Sequence, residues 1–136
     1  MKITLCYSMQ MAEKAADTKQ ELEKLGHTAF IVETNKKFVG KTNEEKEEIK
    51  LQQKFNNDAI NEHFKLIENS DAILVLNYEK NGVANYIGGN TFLETGLAYY
   101  LKKPIYLINP IPKISYETEI IAIKPIILNG DLTKIK

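Results

Sequence analysis

A chain of 136 residues is the size of one domain, long enough to bury roughly two-thirds of the surface its unfolded form exposes. Its 18 basic and 18 acidic residues cancel, leaving no net field to gather nucleic acid or an anionic lipid surface. No apolar run approaches the ~20 residues of a membrane span, so neither a nucleic-acid polymer nor a membrane is an expected partner.

The lone cysteine, Cys6, has no internal disulfide partner, and the N-terminal residues run straight into a strand pattern without a secretory leader. Both point to a cytoplasmic location. Cys6 reads as a buried packing residue. With His27 and His63 far from it and from each other in sequence, no metal-ligand spacing is present and no metal site is expected.

Residues 2–7 favour a strand, and the polar break Ser8-Met9-Gln10 ends it. From about 11 to 25, Ala12, Ala15, Ala16, Leu22 and Leu25 recur at helical spacing, with Gly26 as the stop. Residues 28–32 form a second strand, followed by a polar connection over 35–41. Thr42-Asn43-Glu44-Glu45 has the form of a capping box and opens a charged helix predicted to run to about 69, with Ile49, Ile60, Phe64 and Ile67 as its sheet-facing stripe. Its charge run is read as a solvated face. His63, at helical spacing from Ile60 and Ile67, borders that stripe as a structural histidine, and His27 falls in a surface turn.

Residues 71–77 are nearly all apolar, as in a central parallel strand covered on both faces. A polar loop spans 78–89, a helix 91–101, and Lys102-Lys103-Pro104 separates it from a strand over 105–108. The loop 109–112, a short helix around 116–123 and a last strand over 125–128 complete the chain. The alternation predicts an α/β fold: a single domain over 1–136 with a doubly wound five-stranded parallel sheet in the flavodoxin-like order 2-1-3-4-5.

In such sheets ligands bind beyond the C-terminal strand ends where the winding reverses, between the first and third strands. That edge collects Tyr7, Ser8, Asn77, Tyr78, Gly88, Gly89, Asn90, Thr91 and Asn109 as candidate substrate-binding residues. Gly88-Gly89 before a helix either lets a ligand approach free backbone amides or makes an ordinary tight turn. Glu94, near the helix start, is either a nucleophile or general base at the pocket edge or the second half of a Thr91-x-x-Glu94 capping box. Tyr7, Tyr78 and Tyr86 offer rings for stacking or for packing, and Ser8 a hydroxyl for a ligand or a local turn. Dinucleotide and nucleoside-triphosphate phosphate loops are absent, and the loop after the first strand lacks the hydroxyl-rich turn that grips a flavin phosphate.

The segment Asp71-Ala-Ile-Leu-Val-Leu-Asn77, then Phe92-Leu-Glu94-Thr-Gly96-Leu-Ala98, then Lys103-Pro104-Ile105, resembles the nucleoside 2-deoxyribosyltransferases and their deoxynucleotide N-hydrolase relatives. The resemblance implies that Glu94 attacks the anomeric carbon of deoxyribose, that a second base or water captures the glycosyl-enzyme, and that no cofactor takes part. It implies that Tyr7 and Ser8 position the glutamate or contact the sugar and any 5'-phosphate. It also implies a homodimer or higher homo-oligomer in which residues around 116–119 complete the neighbour's pocket. The chain departs from the family at two places. His63 stands where the family's aspartate handles the proton on the leaving base, so either His63 takes over that catalytic role or the chemistry has changed, and Gly88-Gly89-Asn90-Thr91 replaces the family's acidic or serine residue followed by alternating glycines. These departures keep two alternatives beside the enzyme: a nucleotide-binding module without chemistry, and an oligomeric interaction protein with a vestigial pocket.

Overall fold

The computed structural model describes residues 1–32, 40–56 and 58–136, the helical residues 53–56 by their backbone alone. Five strands, β1 (Lys2–Cys6), β2 (Thr28–Phe30), β3 (Ala72–Val75), β4 (Ile105–Leu107) and β5 (Ile126–Ile127), pair in parallel in the order β2-β1-β3-β4-β5. This is the predicted winding. The helices are α1 (Ala12–Lys24), α2 (Asn43–Asn56), α3 (Ala59–Glu68), α4 (Gly89–Tyr100) and α5 (Glu117–Ala122).

Strand alternation divides the core into two layers. Ile3, Leu5, Ala72, Leu74, Tyr106 and Ile108 point to one side and bury Ala15 and Leu22 of α1 together with Leu132 and Ile135 of the C-terminal segment. Cys6, Ile73, Val75, Ile105 and Leu107 point to the other and bury Ile67 of α3, Ala98 of α4 and Ile120 of α5. Because β3 is covered on both faces, each of its four residues is buried, which is why its sequence is apolar without alternation. Among the described residues no helix is long and apolar enough to cross a membrane.

The capping box at Thr42 forms as its pattern predicts: the Glu45 amide donates to Thr42 Oγ1 at 3.1 Å, and the Thr42 amide donates to Glu45 Oε1 at 3.0 Å. The helix behind it is shorter than expected. The stretch predicted to run unbroken to about 69 is two helices, and Asp58 caps the second from a left-handed backbone (φ 46°), its carboxylate accepting the Asn61 amide. The predicted stripe splits accordingly. Ile67 turns into the core, while Ile60, Phe64 and the buried His63 line a cavity. The polar connection expected over 35–41 lies largely outside the described residues.

At the far end of α3, Lys103 folds back so that its ammonium donates to the carbonyls of Ile67, Glu68 and Ser70 at 2.5–2.9 Å. A cation on the last carbonyls of a helix is where the helix dipole favours it. Beside it, the Thr4 and Ser70 hydroxyls share a buried hydrogen bond of 2.5 Å that fastens β1 to the end of α3.

Candidate active site

A cavity of about 210 Å³ opens at the C-terminal end of β1, between α3 and the start of α4. Tyr7, Ser8, His63, Gly88, Gly89, Asn90, Thr91 and Glu94 all line it. Lys50, Lys80 and Tyr86 join them.

The start of α4 corrects the capping reading of Glu94. The helix begins at Gly89 with Gly88 as its N-cap, so Thr91 already lies inside the first turn and Glu94 in the second, too far along to reach back to an orphan amide. Neither glycine sits in a left-handed turn; Gly88 is extended (φ −81°, ψ 175°). What Gly88 provides is space: a Cβ there would meet Tyr86 Cε1 at 3.2 Å, whereas one on Gly89 would meet nothing within 4 Å.

Glu94 is buried, 5% exposed, and its Oε2 meets His63 Nδ1. The other ring nitrogen of His63, Nε2, lies 3.2 Å from the carbonyl of Leu5. A carbonyl only accepts, so Nε2 carries a proton and the ring is locked edge-on between β1 and Glu94. Nδ1 and a carboxylate oxygen in contact then need one further proton between them. The site is thus a histidine and a carboxylate joined by one proton, with Glu94 Oε1 engaged by no hydrogen bond among the described residues.

The surroundings carry the mark of that carboxylate. Burial first, and the Glu94 charge second, push the Cys6 thiol well above its ordinary range. Burial likewise raises the Tyr7 phenol, with smaller contributions from Cys6 and Glu94. Elsewhere in the lining Lys80 donates to Ser8 Oγ at 3.0 Å and lies 5.4 Å from the centre of the Tyr86 ring. The cavity lining therefore combines a buried carboxylate with an ammonium, a hydroxyl and an aromatic ring.

Three residues expected at this edge are turned away from the cavity. Asn77 is fully buried and bonded to the backbone of residues 109 and 110. Tyr78 lies across the sheet under the ammonium of Lys14, 3.9 Å from its ring centre, and Asn109 borders the same shallow depression. Tyr116 is engaged within its own chain: it stacks on Phe92 with ring centres 4.8 Å apart, and its hydroxyl donates to the Ile87 carbonyl just before Gly88. Lys80 was missed because its loop position follows from the Lys80–Val83 turn and no periodicity places it. Cys6 was read only as packing, yet its Sγ lies with the donor atoms of His63 and Glu94 inside a sphere of contacts no wider than 4.8 Å.

No protein-family profile matches this sequence, and no curated protein matches it. Among solved structures the chain is similar to the 2-deoxyribosyltransferase of the psychrotolerant bacterium Bacillus psychrosaccharolyticus, at 20% sequence identity and a TM-score of 0.49, over 79% of this chain and 71% of that one.

Proposed function

We propose that the chain, acting as one domain, cleaves or transfers at the N-glycosidic bond of a nucleoside or nucleotide, with Glu94 as the nucleophile. The observation that carries this reading is the buried Glu94 carboxylate in the cavity lining, held through one oxygen by His63 and with the other engaged by no hydrogen bond among the described residues. The resemblance around Phe92 to Ala98 supplies the reaction class. A desolvated carboxylate with one fixed oxygen is oriented for attack and loses little freedom in the transition state.

In the first step Glu94 Oε1 bonds to the anomeric carbon as the C–N bond breaks, and the bonding pair leaves with the base. The departing nitrogen takes its proton from solvent, since both nitrogens of His63 are engaged. The shared proton moves toward Nδ1, so His63 acts through Glu94 as a positioning residue. In the second step water or another base attacks the same carbon and gives up its proton to solvent, the ester bond breaks and the carboxylate returns. The ring of Tyr86, the hydroxyl of Ser8 and the amide of Asn90 supply stacking and hydrogen bonds for base and sugar.

The proton shared with His63 also favours a second reading, a pocket that binds a nucleotide without reacting, because a carboxylate in that bond is a blunted nucleophile. Chromatographic detection of free base from a panel of ribo- and deoxyribonucleosides and their 5'-monophosphates separates the two. Glu94→Gln keeps a hydrogen bond to His63 and is expected to slow release by about 10³-fold or more. Equal rates in wild type and variant would remove Glu94 as nucleophile. A rise in melting temperature without turnover would support the binding module, and no response to any ligand the interaction protein.

A further inference from the structure

Cys6 on β1, His63 on α3 and Glu94 on α4 present a thiol, an imidazole nitrogen and a carboxylate within 4.8 Å of one another, and all three are at least nine-tenths buried. Proximity alone would mean little. The hydrogen bonding around it adds three constraints. Metal-binding histidines are fixed by donating their second ring N–H to a carbonyl or carboxylate, and His63 does this toward Leu5, leaving Nδ1 to face the cluster. Nδ1 and the Glu94 oxygen are both lone-pair donors in contact, so a proton lies between them, and a metal ion that replaces it has to spread the two atoms to its own ligand distances. Cys6 and Glu94 together bring two negative charges when deprotonated, which a divalent ion neutralises where no solvent reaches.

The donor set selects the ion. Sulfur, nitrogen and one carboxylate suit zinc, whereas magnesium and calcium require oxygen ligands. Access is provided as well, because His63 and Glu94 line the cavity while Cys6 lies just behind them. An ion entering from the cavity meets both and closes on the sulfur, with its fourth position open to the cavity.

We propose that this chain binds one Zn²⁺ through Cys6 Sγ, His63 Nδ1 and the Glu94 carboxylate. The proton between His63 and Glu94 and that of the Cys6 thiol leave to solvent as the ion enters. Where Glu94 is the glycosidic nucleophile, and this clause rests on that reading, bound zinc occupies it and shuts the reaction off.

The test uses the full chain stripped with a chelator, equilibrated with zinc chloride, desalted and analysed for metal. The expected result is one zinc per chain, with X-ray absorption showing a single sulfur at about 2.3 Å beside nitrogen and oxygen ligands. Cys6→Ala is expected to weaken zinc binding by about 100-fold or more, and to abolish the thiolate-to-metal absorption band of the cobalt-loaded protein. Its base release without metal should match wild type and resist zinc. Wild type that retains no zinc, or retains it without a sulfur ligand, overturns the proposal. So does binding that Cys6→Ala leaves unchanged. Should that variant not fold, the absorption spectrum of the wild-type protein decides alone. Because metal content is read without turnover, a chain that binds zinc and releases no base sinks the proposed activity and leaves the metal site standing.

Discussion

The side chain of Asn77 extends the sheet beyond the last residue of β3. Its Oδ1 accepts the Asn109 amide at 3.0 Å, and its Nδ2 donates to the carbonyls of Asn109 and Pro110 at 2.9 and 3.0 Å. Asn109 returns a bond from its own Nδ2 to the Asn77 carbonyl at 3.1 Å. Asn77→Ala leaves these part-buried backbone groups without their side-chain partners and should lower unfolding free energy by about 1–2 kcal/mol. Asn77→Asp keeps the acceptor but loses both donated bonds and should be no better. Urea denaturation measures both. A loss below ~0.5 kcal/mol would mean that water replaces the clamp.

Lys46 is buried, and its ammonium donates to Glu13 Oε2 at 2.8 Å, to Oε1 at 3.2 Å and to the Gln10 carbonyl at 3.4 Å. The bond from Lys46 holds the Glu13 carboxyl below its ordinary range, helped by the Gly40 amide. A depressed folded-state value gives stability that is present above the unfolded value of ~4.3 and disappears as pH falls through the folded one. Glu13→Gln should therefore cost about 1 kcal/mol at pH 7, chiefly because the Lys46 charge is left without a counterion, since Glu13 itself is half exposed and screened. The gap to wild type should close below pH 4. Melting temperatures from pH 3 to 8 test this, and a gap that stays constant would exclude the Glu13 carboxyl as its source.

Removing His63 is expected to do more damage than removing the charge it faces. His63→Phe strands the Leu5 carbonyl and leaves Glu94 as an uncompensated buried carboxylate, which should lower stability by about 3–5 kcal/mol. Adding Glu94→Gln to that variant should recover part of the loss. A double-mutant cycle in denaturant reads the coupling directly, and additive single effects would show that the two side chains do not depend on each other.

Alanine at the two adjacent glycines should give opposite results. Gly89→Ala adds a methyl group to open space at the first helical position and should stabilise by about 0.5–1 kcal/mol. Gly88→Ala brings a methyl group to 3.2 Å from Tyr86 Cε1, so that this ring in the cavity lining has to give by a few tenths of an ångström. Its effect should appear as weakened ligand binding, measured by thermal shift, at nearly unchanged stability. Equal behaviour of the two variants would mean that Tyr86 yields without consequence.

The strands and their order were legible because parallel burial leaves a signature that few other arrangements produce: four buried residues in a row at 72–75, helical periods on either side. The break at Asp58 was hidden because charged and amide residues continue through it, and a left-handed cap leaves no mark on the hydrophobic period. At the other helix start, Thr91-x-x-Glu94 imitated a cap that Gly88 supplies instead. Of the cavity, the residues on the strand end and helix start were readable from topology, since Tyr7, Ser8 and Gly88 to Glu94 follow the chain into it. Asn77 and Asn109 adjoin the same strand ends, but their side chains satisfy backbone groups there. The convergence of Cys6, His63 and Glu94 has no sequence signal, because three separate elements bring it about.

The three bonds of Lys103 to the end of α3 bear on how the site can move. Lys103 lies three residues past the end of α4, so the helices bearing His63 and Glu94 are joined at their far ends by the lysine and near their middles by the imidazole and carboxylate. Two rods pinned at two points along their lengths do not swing apart. Hydrogen exchange on ligand binding is therefore expected to slow in the 78–88 loop, which carries Lys80 and Tyr86 into the cavity lining, while the facing turns of α3 and α4 stay as protected as before.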